Sequence, residues 1–335
     1  MSGEIPVRSA LVVGAGAVGA AVAYMIRRSD PDAVALCASG ERRGRLAGDG
    51  LVVNGEKIAF RLAEERRDQP FDLVIVAVKN TQLAGAIEDM RPFVGERTLI
   101  LSLLNGISSE KILASEFGAE KVPLAFIIGI DALRKGNRID FPYAGEIRFG
   151  DALNREGAWS ERVSRIAEFF GRTGLPFSVP ADMERALWYK FMFNVAVNQW
   201  SAILRAPYRV FQRIPEARDL LRGAMREVLD LSGALGKGLE EGDIEAILHT
   251  IDGFGPEGRT SMLQDVDARR MTEIDAFAGE VVRLGAKLGV AVPVNRILYD
   301  AIKTIEADFP RSGYPQPDYP GSSYPGTKPD NSPEA

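Results

Sequence analysis

Three polar residues, Lys190, Asn194 and Asn198, recur at intervals of four inside the run Met183–Leu204, MERALWYKFMFNVAVNQWSAIL. The run contains no Gly or Pro. Leu187, Trp188, Phe191, Met192, Phe193, Val195, Val197, Trp200 and Ile203 make it apolar nearly all round, which predicts a buried helix. Each step of four residues rises about 6 Å and overshoots a full turn by about 40°, so the three side chains form one narrow polar stripe. An ammonium and two amides in such a place need partners, because leaving them unpaired costs about 1–3 kcal/mol each. They either satisfy neighbouring helix ends or face a ligand. An ammonium desolvated by Trp188 and Phe191 has its pKa pulled down toward working pH and is then suited to give up a proton as a general acid. The two amides bind oxygen atoms without adding charge.

The elements that would face this stripe begin near the N-terminus. Residues 8–13 read as a strand, followed by Gly14-Ala15-Gly16-Ala17-Val18-Gly19 and the helical run AAVAYMIRRSD. A GxGxxG turn between a strand and a helix is a dinucleotide-binding signal: tight turn, close backbone approach to a pyrophosphate, and unpaired N–H donors at the helix start. A second strand, residues 33–38, ends at Ser39 without the acidic residue that accepts from a ribose 2′-hydroxyl. Ser39 with Arg42 and Arg43 suits a 2′-phosphate, hence NADP (NADPH), whereas Glu41 taking the ribose hydroxyl would suit NAD. LVVNGEKIAF alternates about Asn54-Gly55 as a hairpin does. FDLVIVAV, residues 71–78, is a continuous apolar run, which predicts a parallel strand buried on both faces. It ends in Lys79-Asn80, and the next strand, TLILSLL, ends in Asn105-Gly106. Ligands of open parallel sheets bind beyond the carboxyl ends of the strands, where the glycine turn, Ser39, Lys79 and Asn105 all fall.

Residues 122–150 are rich in strand patterns, and a helix over 158–172 with a short strand over 176–179 closes an α/β Rossmann-like N-terminal domain, residues 1–181. From 182 to 309 only helical patterns follow, giving an all-α domain. Gly279, Gly285 and Gly289 lie near one helical track there and suggest close helix–helix approach. Ser261 of SMLQD and Glu273 of TEID stand twelve residues apart; each is readable as a helix cap, a first-turn charge or a contact to a ligand. Residues 310–335, with Tyr-Pro at 314, 319 and 324, lack apolar mass and read as a disordered Pro/Tyr/Gly-rich tail.

The whole-chain counts prune the chemistry. With 335 residues the chain is long enough for two cores. A net charge of -5 without a basic run argues against nucleic acid. No stretch approaches the ~18 uncharged apolar residues of a membrane span, and the start of the chain does not read as a signal peptide. Cys37 is the single cysteine and His249 the single histidine. A disulfide framework, an ordinary zinc site and a His-based nucleophilic triad are therefore not expected, and the single thiol fits a reducing cytoplasm. Acid–base work falls to Lys, Glu, Asp or Tyr.

Over roughly residues 8–305 the chain resembles the ketopantoate reductase (2-dehydropantoate 2-reductase) family. The resemblance rests on Trp188, Lys190, Asn194 and Asn198, on SMLQD at 261–265 and on Thr272-Glu273-Ile274-Asp275. Val78-Lys79-Asn80, Asn105-Gly106 and Pro293–Asn295 add to it. It implies reduction of a 2-oxo acid by NAD(P)H, that acid being 2-dehydropantoate in pantothenate and coenzyme A biosynthesis. Lys190 would be the proton donor. Asn105, Asn194, Asn198 and Ser261 would hold substrate oxygens. Glu273 would touch substrate and cofactor, while Lys79, Asn105 and the backbone of Ala132 would lie on the cofactor side. Ser39 replaces the arginine many members use for the 2′-phosphate, so an NADP preference would rest on Arg42 and Arg43. Ile107-Ser108 depart from the family's NGxG, and Tyr208 stands where some members have asparagine. The resemblance leaves room for a homodimer. Two other readings stay open: a dehydrogenase of the same build acting on another 2-oxo or 3-hydroxy acid, and a non-catalytic NADP-binding sensor.

Overall fold

The computed structural model describes residues 6–64, 69–130 and 132–309. In chain order the first half contains β1 (Ala10–Val13), α1 (Ala17–Ser29), β2 (Val34–Cys37), α2 (Gly40–Asp49), β3 (Leu51–Val53), β4 (Glu56–Ile58), β5 (Leu73–Val76) and α3 (Leu83–Met90). It continues with β6 (Leu99–Ser102), α4 (Ser109–Phe117), β7 (Leu124–Ile130), β8 (Leu133–Lys135), β9 (Arg138–Asp140), β10 (Ala144–Gly150), α5 (Glu161–Thr173) and β11 (Phe177–Ser178).

The four wholly buried strands pair in parallel in the order β2-β1-β5-β6. Strand residues alternate between faces, so Ala10 and Val12 join the core beneath α1 and α5, while Leu11 and Val13 join the one beneath α3 and α4. Both faces being covered explains why the strands read as unbroken apolar runs. Sequence order reverses between β1 and β5, and this switch point is where a doubly wound sheet opens a crevice for a ligand. The glycine turn follows β1 and Lys79 follows β5, one on each side of it.

Two smaller sheets complete this half. β7 and β10 are antiparallel, with β11 parallel to β10. The hairpin turns at Asn54 and Gly55, with φ of 48° and 84°, and does not stand alone: β3 also pairs in parallel with β9, giving the order β4-β3-β9-β8. The charged stretch after Ser39 is helical, as α2. It buries only Leu46, so it carries no apolar period by which to read it as a helix.

The described elements from Met183 onward are all helical: α6 (Met183–Leu204), α7 (Tyr208–Arg213), α8 (Pro215–Ala234), α9 (Glu241–Asp252), α10 (Ser261–Asp267), α11 (Ala278–Leu288) and α12 (Pro293–Ala307). The chain is thus α/β Rossmann-like and then all-α. Helix α6 has the predicted bounds. The Asp182 carboxylate caps its start by accepting from the Arg185 N–H at 2.8 Å, and α8, α10, α12 and β7 all pack on it. The six-residue α7 is too short to show a period. The 261–288 stretch breaks between α10 and α11. There Arg269 takes a left-handed φ of 50°, and buried Glu306 accepts from both the N–H and the hydroxyl of Thr272 at 2.7 Å. Gly279 and Gly285 do lie close to Tyr299 and Val292, but Gly289 ends α11 in a left-handed cap at φ 71°. Its role is turning, not helix contact. No helix among the described residues is long and apolar enough to cross a membrane, and the Tyr-Pro tail lies outside those residues.

One buried carboxylate fastens the last helix. Glu227 on α8 accepts from the Val294 N–H at 2.6 Å, the Asn295 N–H at 2.9 Å and the Asn295 amide at 2.7 Å, satisfying donors that a helix start otherwise leaves free. Glu227→Ala is expected to lower the unfolding free energy by about 3 kcal/mol, read from urea denaturation at constant m-value.

Candidate functional site

At the glycine turn, a Cβ on Gly14 would lie 2.6 Å from a Val78 methyl, and one on Gly19 would lie 2.0 Å from the Gly14 carbonyl oxygen. Both positions therefore exclude side chains. Gly16 has nothing nearer than 3.9 Å, so open space faces it where a pyrophosphate would need to approach the backbone. Ala17 and Val18 open α1, whose start has no side-chain cap, and Ala15 offers its carbonyl to Arg134 from β8. Ala132 lies just ahead of that strand and packs on the first core.

Arg134 was not foreseen from sequence. Its pKa and that of Arg42 are both lowered, first by burial and then by neighbouring guanidinium charge: Arg45 on Arg42, and Arg42 and Arg45 on Arg134. Arg134, bonded to the glycine turn, thus feels the charges of Arg42 and Arg45, although Asp89 acts on Arg42 and Glu41 pairs with Arg45 at 3.3 Å; the excess of guanidinium charge favours an anion. Arg43 is directed elsewhere, donating to the Ala63 carbonyl at 2.8 Å and pairing with Glu64 at 3.4 Å. Of the two arginines picked from sequence, Arg42 faces this cluster and Arg43 does not. Ser39 donates to Asp89 at 3.0 Å. Cys37 is buried below, its thiol pushed up to about 12 by desolvation and by Asp89.

On α6 the stripe forms as the spacing requires. Asn194 and Asn198 are 8% and 6% exposed, and the Asn198 amide donates to the Asn194 carbonyl oxygen at 3.2 Å. They bind each other rather than neighbouring helix ends. Lys190 is half-buried, and its ammonium lies 5.4 Å from the centre of the Phe126 ring on β7. Among the described residues it makes no hydrogen bond or ion pair. Burial lowers its pKa from the usual lysine range to about 8, against the opposing pull of Glu110 and then Glu273. Trp188 and Phe191 stack edge to face on the same helix, but the ring facing the ammonium is Phe126, contributed by a strand far away in sequence.

Glu273, just ahead of a short 3-10 turn at Ile274–Ala276, joins the two halves of the chain. Its carboxylate accepts from the Asn80 N–H at 3.1 Å and amide at 2.9 Å, and from the Asn105 amide at 3.0 Å. It reaches Lys190 through its field and not through a hydrogen bond. Lys79 crosses the same boundary, donating to Asp265 at 2.7 Å and to the Met271 carbonyl at 3.3 Å. Thr260, not Ser261, caps α10, accepting from the Leu263 N–H at 3.2 Å. The Ser261 hydroxyl is exposed at the first helical position and is released from capping. Glu110 is a second residue missed in sequence; its place in the first turn of α4 resembles an ordinary helix-start acid. A half-buried cation on one stripe with two amides, under the field of a carboxylate, can donate a proton to an oxygen that those amides hold.

The family model described as "Ketopantoate reductase PanE/ApbA" matches residues 10–154, and "Ketopantoate reductase PanE/ApbA C terminal" matches residues 182–306. The 2-dehydropantoate 2-reductase of Pyrobaculum aerophilum is 30% identical over 298 residues, covering 88% of this chain and 97% of that protein. The crystal structure of 2-dehydropantoate 2-reductase from Geobacter metallireducens GS-15 is 29% identical with a TM-score of 0.77, covering 88% of this chain and 99% of that one. A D-mandelate dehydrogenase with NADH and anilino(oxo)acetate shares the fold, at 23% identity and a TM-score of 0.78, covering 90% of this chain and 99% of that one. The chain belongs to the ketopantoate reductase family.

Proposed function

We propose that the protein reduces a 2-oxo acid with NAD(P)H, the acid being 2-dehydropantoate and the product pantoate, and that it works in the cytoplasm as a homodimer. The observation that carries this reading is the half-buried Lys190 ammonium, its pKa lowered by desolvation, on one helical stripe with Asn194 and Asn198. A sensor has no need of a desolvated proton donor. NAD(P)H, when bound, would supply a hydride to the ketone carbon and leave negative charge on the ketone oxygen. Lys190 gives its proton to that oxygen. Asn194, Asn198 and Ser261 hold the remaining substrate oxygens, and Asn105 orients substrate from the first half. Glu273, fixed by Asn80 and Asn105, keeps the ammonium charged. The Gly14–Gly19 turn receives the pyrophosphate, with Lys79 and the Ala132 backbone beside it.

The cluster of Arg42, Arg45 and Arg134 favours a 2′-phosphate, hence NADPH. NADH is the second reading, supported by Asp89, which Ser39 holds where a ribose hydroxyl could be accepted.

Turnover of 2-dehydropantoate with NADPH, followed by absorbance, tests the activity. Lys190→Ala is expected to lower kcat at least ~10²-fold while leaving the cofactor Kd within about two-fold; a fully active variant would remove the proton-donor role. Because the protonated lysine is the working form, kcat/KM stays high below pH about 8 and falls as pH rises through it. A flat profile across that range contradicts the assignment. Arg134→Ala is expected to raise the NADPH KM by about ten-fold or more and to leave the NADH KM nearly unchanged. Equal effects on both cofactors would place Arg134 away from the 2′-phosphate.

A further inference from the structure

We propose that Glu110, on the first turn of α4, is the positioning carboxylate of the Lys190 ammonium and keeps that lysine protonated through neutral pH. The inference rests on the reading of Lys190 as proton donor.

Glu110 is a charged side chain in a place that packing alone would give to an apolar one. It is 4% exposed, and Ser109 before it is 1% exposed. The Ser109 hydroxyl donates to Glu110 Oε2 at 3.0 Å and shares a 2.7 Å hydrogen bond with Ser102 at the end of β6. Glu110 Oε1 is enclosed with no hydrogen-bond partner among the described residues. A buried carboxylate oxygen without a partner is costly, and such a feature persists where something else compensates. Across one strand lies the complementary group. The backbone of Ala125 on β7 stabilises the Glu110 carboxylate, and the ring of the next residue, Phe126, is the one that carries the Lys190 ammonium. A buried carboxylate with one oxygen unpartnered and a half-buried ammonium with no hydrogen bond therefore lie beside consecutive β7 residues.

The other charges near α6 are already engaged. On α10, Asp265 is bound by Lys79 and Arg270. On α12, Glu306 holds Thr272; on α8, Glu227 holds the α12 start; on β10, Glu146 holds Ser178 and Arg148. Glu273 acts on Lys190 but is shared with Asn80 and Asn105. Glu110 is held by the Ser109 hydroxyl and by backbone groups of its own and of Ala125, and it is the strongest influence opposing the loss of the Lys190 proton. Desolvation raises its own pKa to about 7, although its own backbone, Ser109, Ala125 and Lys190 favour the charged form. As pH rises through 7 the carboxyl ionises and tightens the hold on the lysine proton, a reciprocal coupling of two titrations.

Glu110→Gln keeps shape and removes the charge. The Lys190 pKa then falls further, so the alkaline limb of kcat/KM moves down by roughly one pH unit, with the NADPH Kd unchanged. Glu110→Asp, which keeps the charge, restores part of the shift. A folded Glu110→Gln protein whose limb coincides with that of the unaltered protein overturns the inference while leaving Lys190 as donor. The reciprocal measurement needs neither turnover nor a change at Glu110. By NMR of isotopically labelled glutamate side chains, the carboxyl titrating near 7 in the unaltered protein should move to higher pH in Lys190→Ala, because its cation is gone. No movement overturns the pairing. Movement together with full activity of Lys190→Ala sustains the pairing and overturns the donor role on which the inference rests.

Discussion

A partly desolvated ammonium without a hydrogen-bond partner among the described residues is the constraint around which the two halves of this chain are arranged. Desolvation lowers the Lys190 pKa, and the Phe126 ring lies 5.4 Å from its ammonium. The fields of Glu110 and Glu273 oppose that lowering, and both carboxylates reach it from elements remote in sequence. Their sum leaves the lysine near 8, close enough to neutrality to be both charged and willing to lose its proton. A single strong ion pair would have held the proton too firmly. Two carboxylates acting without a direct hydrogen bond are the arrangement that suits an acid.

Much of this was legible in the sequence, for identifiable reasons. The i, i+4, i+8 spacing of Lys190, Asn194 and Asn198 needs only helical geometry to become a stripe, and α6 spans the predicted residues. The glycine turn and the buried strands carry their meaning locally, since Gly14 and Gly19 leave no room for a Cβ. What was not legible depends on pairing at a distance. Arg134 sits in a short exposed strand, and only the fold brings it to Ala15. Phe126 reads as one more apolar strand residue, and nothing local says that its face meets a lysine. Arg43 looked equivalent to Arg42 because neighbours on a helix point in different directions, a difference invisible until α2 is known to be a helix.

The polar groups at the ends of β5 and β6 show a second kind of economy. Lys79, Asn80 and Asn105 face the crevice of the sheet, yet each also binds the helical half, through Asp265, Met271 or Glu273. Residues suited to a cofactor and substrate are thus the same ones that fasten the two halves together. Charge-assisted hydrogen bonds of this kind each contribute about 1.5–3 kcal/mol. A ligand that draws on Lys79 or Asn105 exchanges one such bond for another and does not simply add to the total. Entry into the cleft is then coupled to the contacts that close it. A residue such as Asn80, whose backbone and side chain both grip Glu273, matters for keeping that carboxylate in range of Lys190 whether or not it touches substrate. The proposed proton donor, its field and the contacts that join the two halves are therefore one linked set of interactions, with Glu273 as the member common to all three.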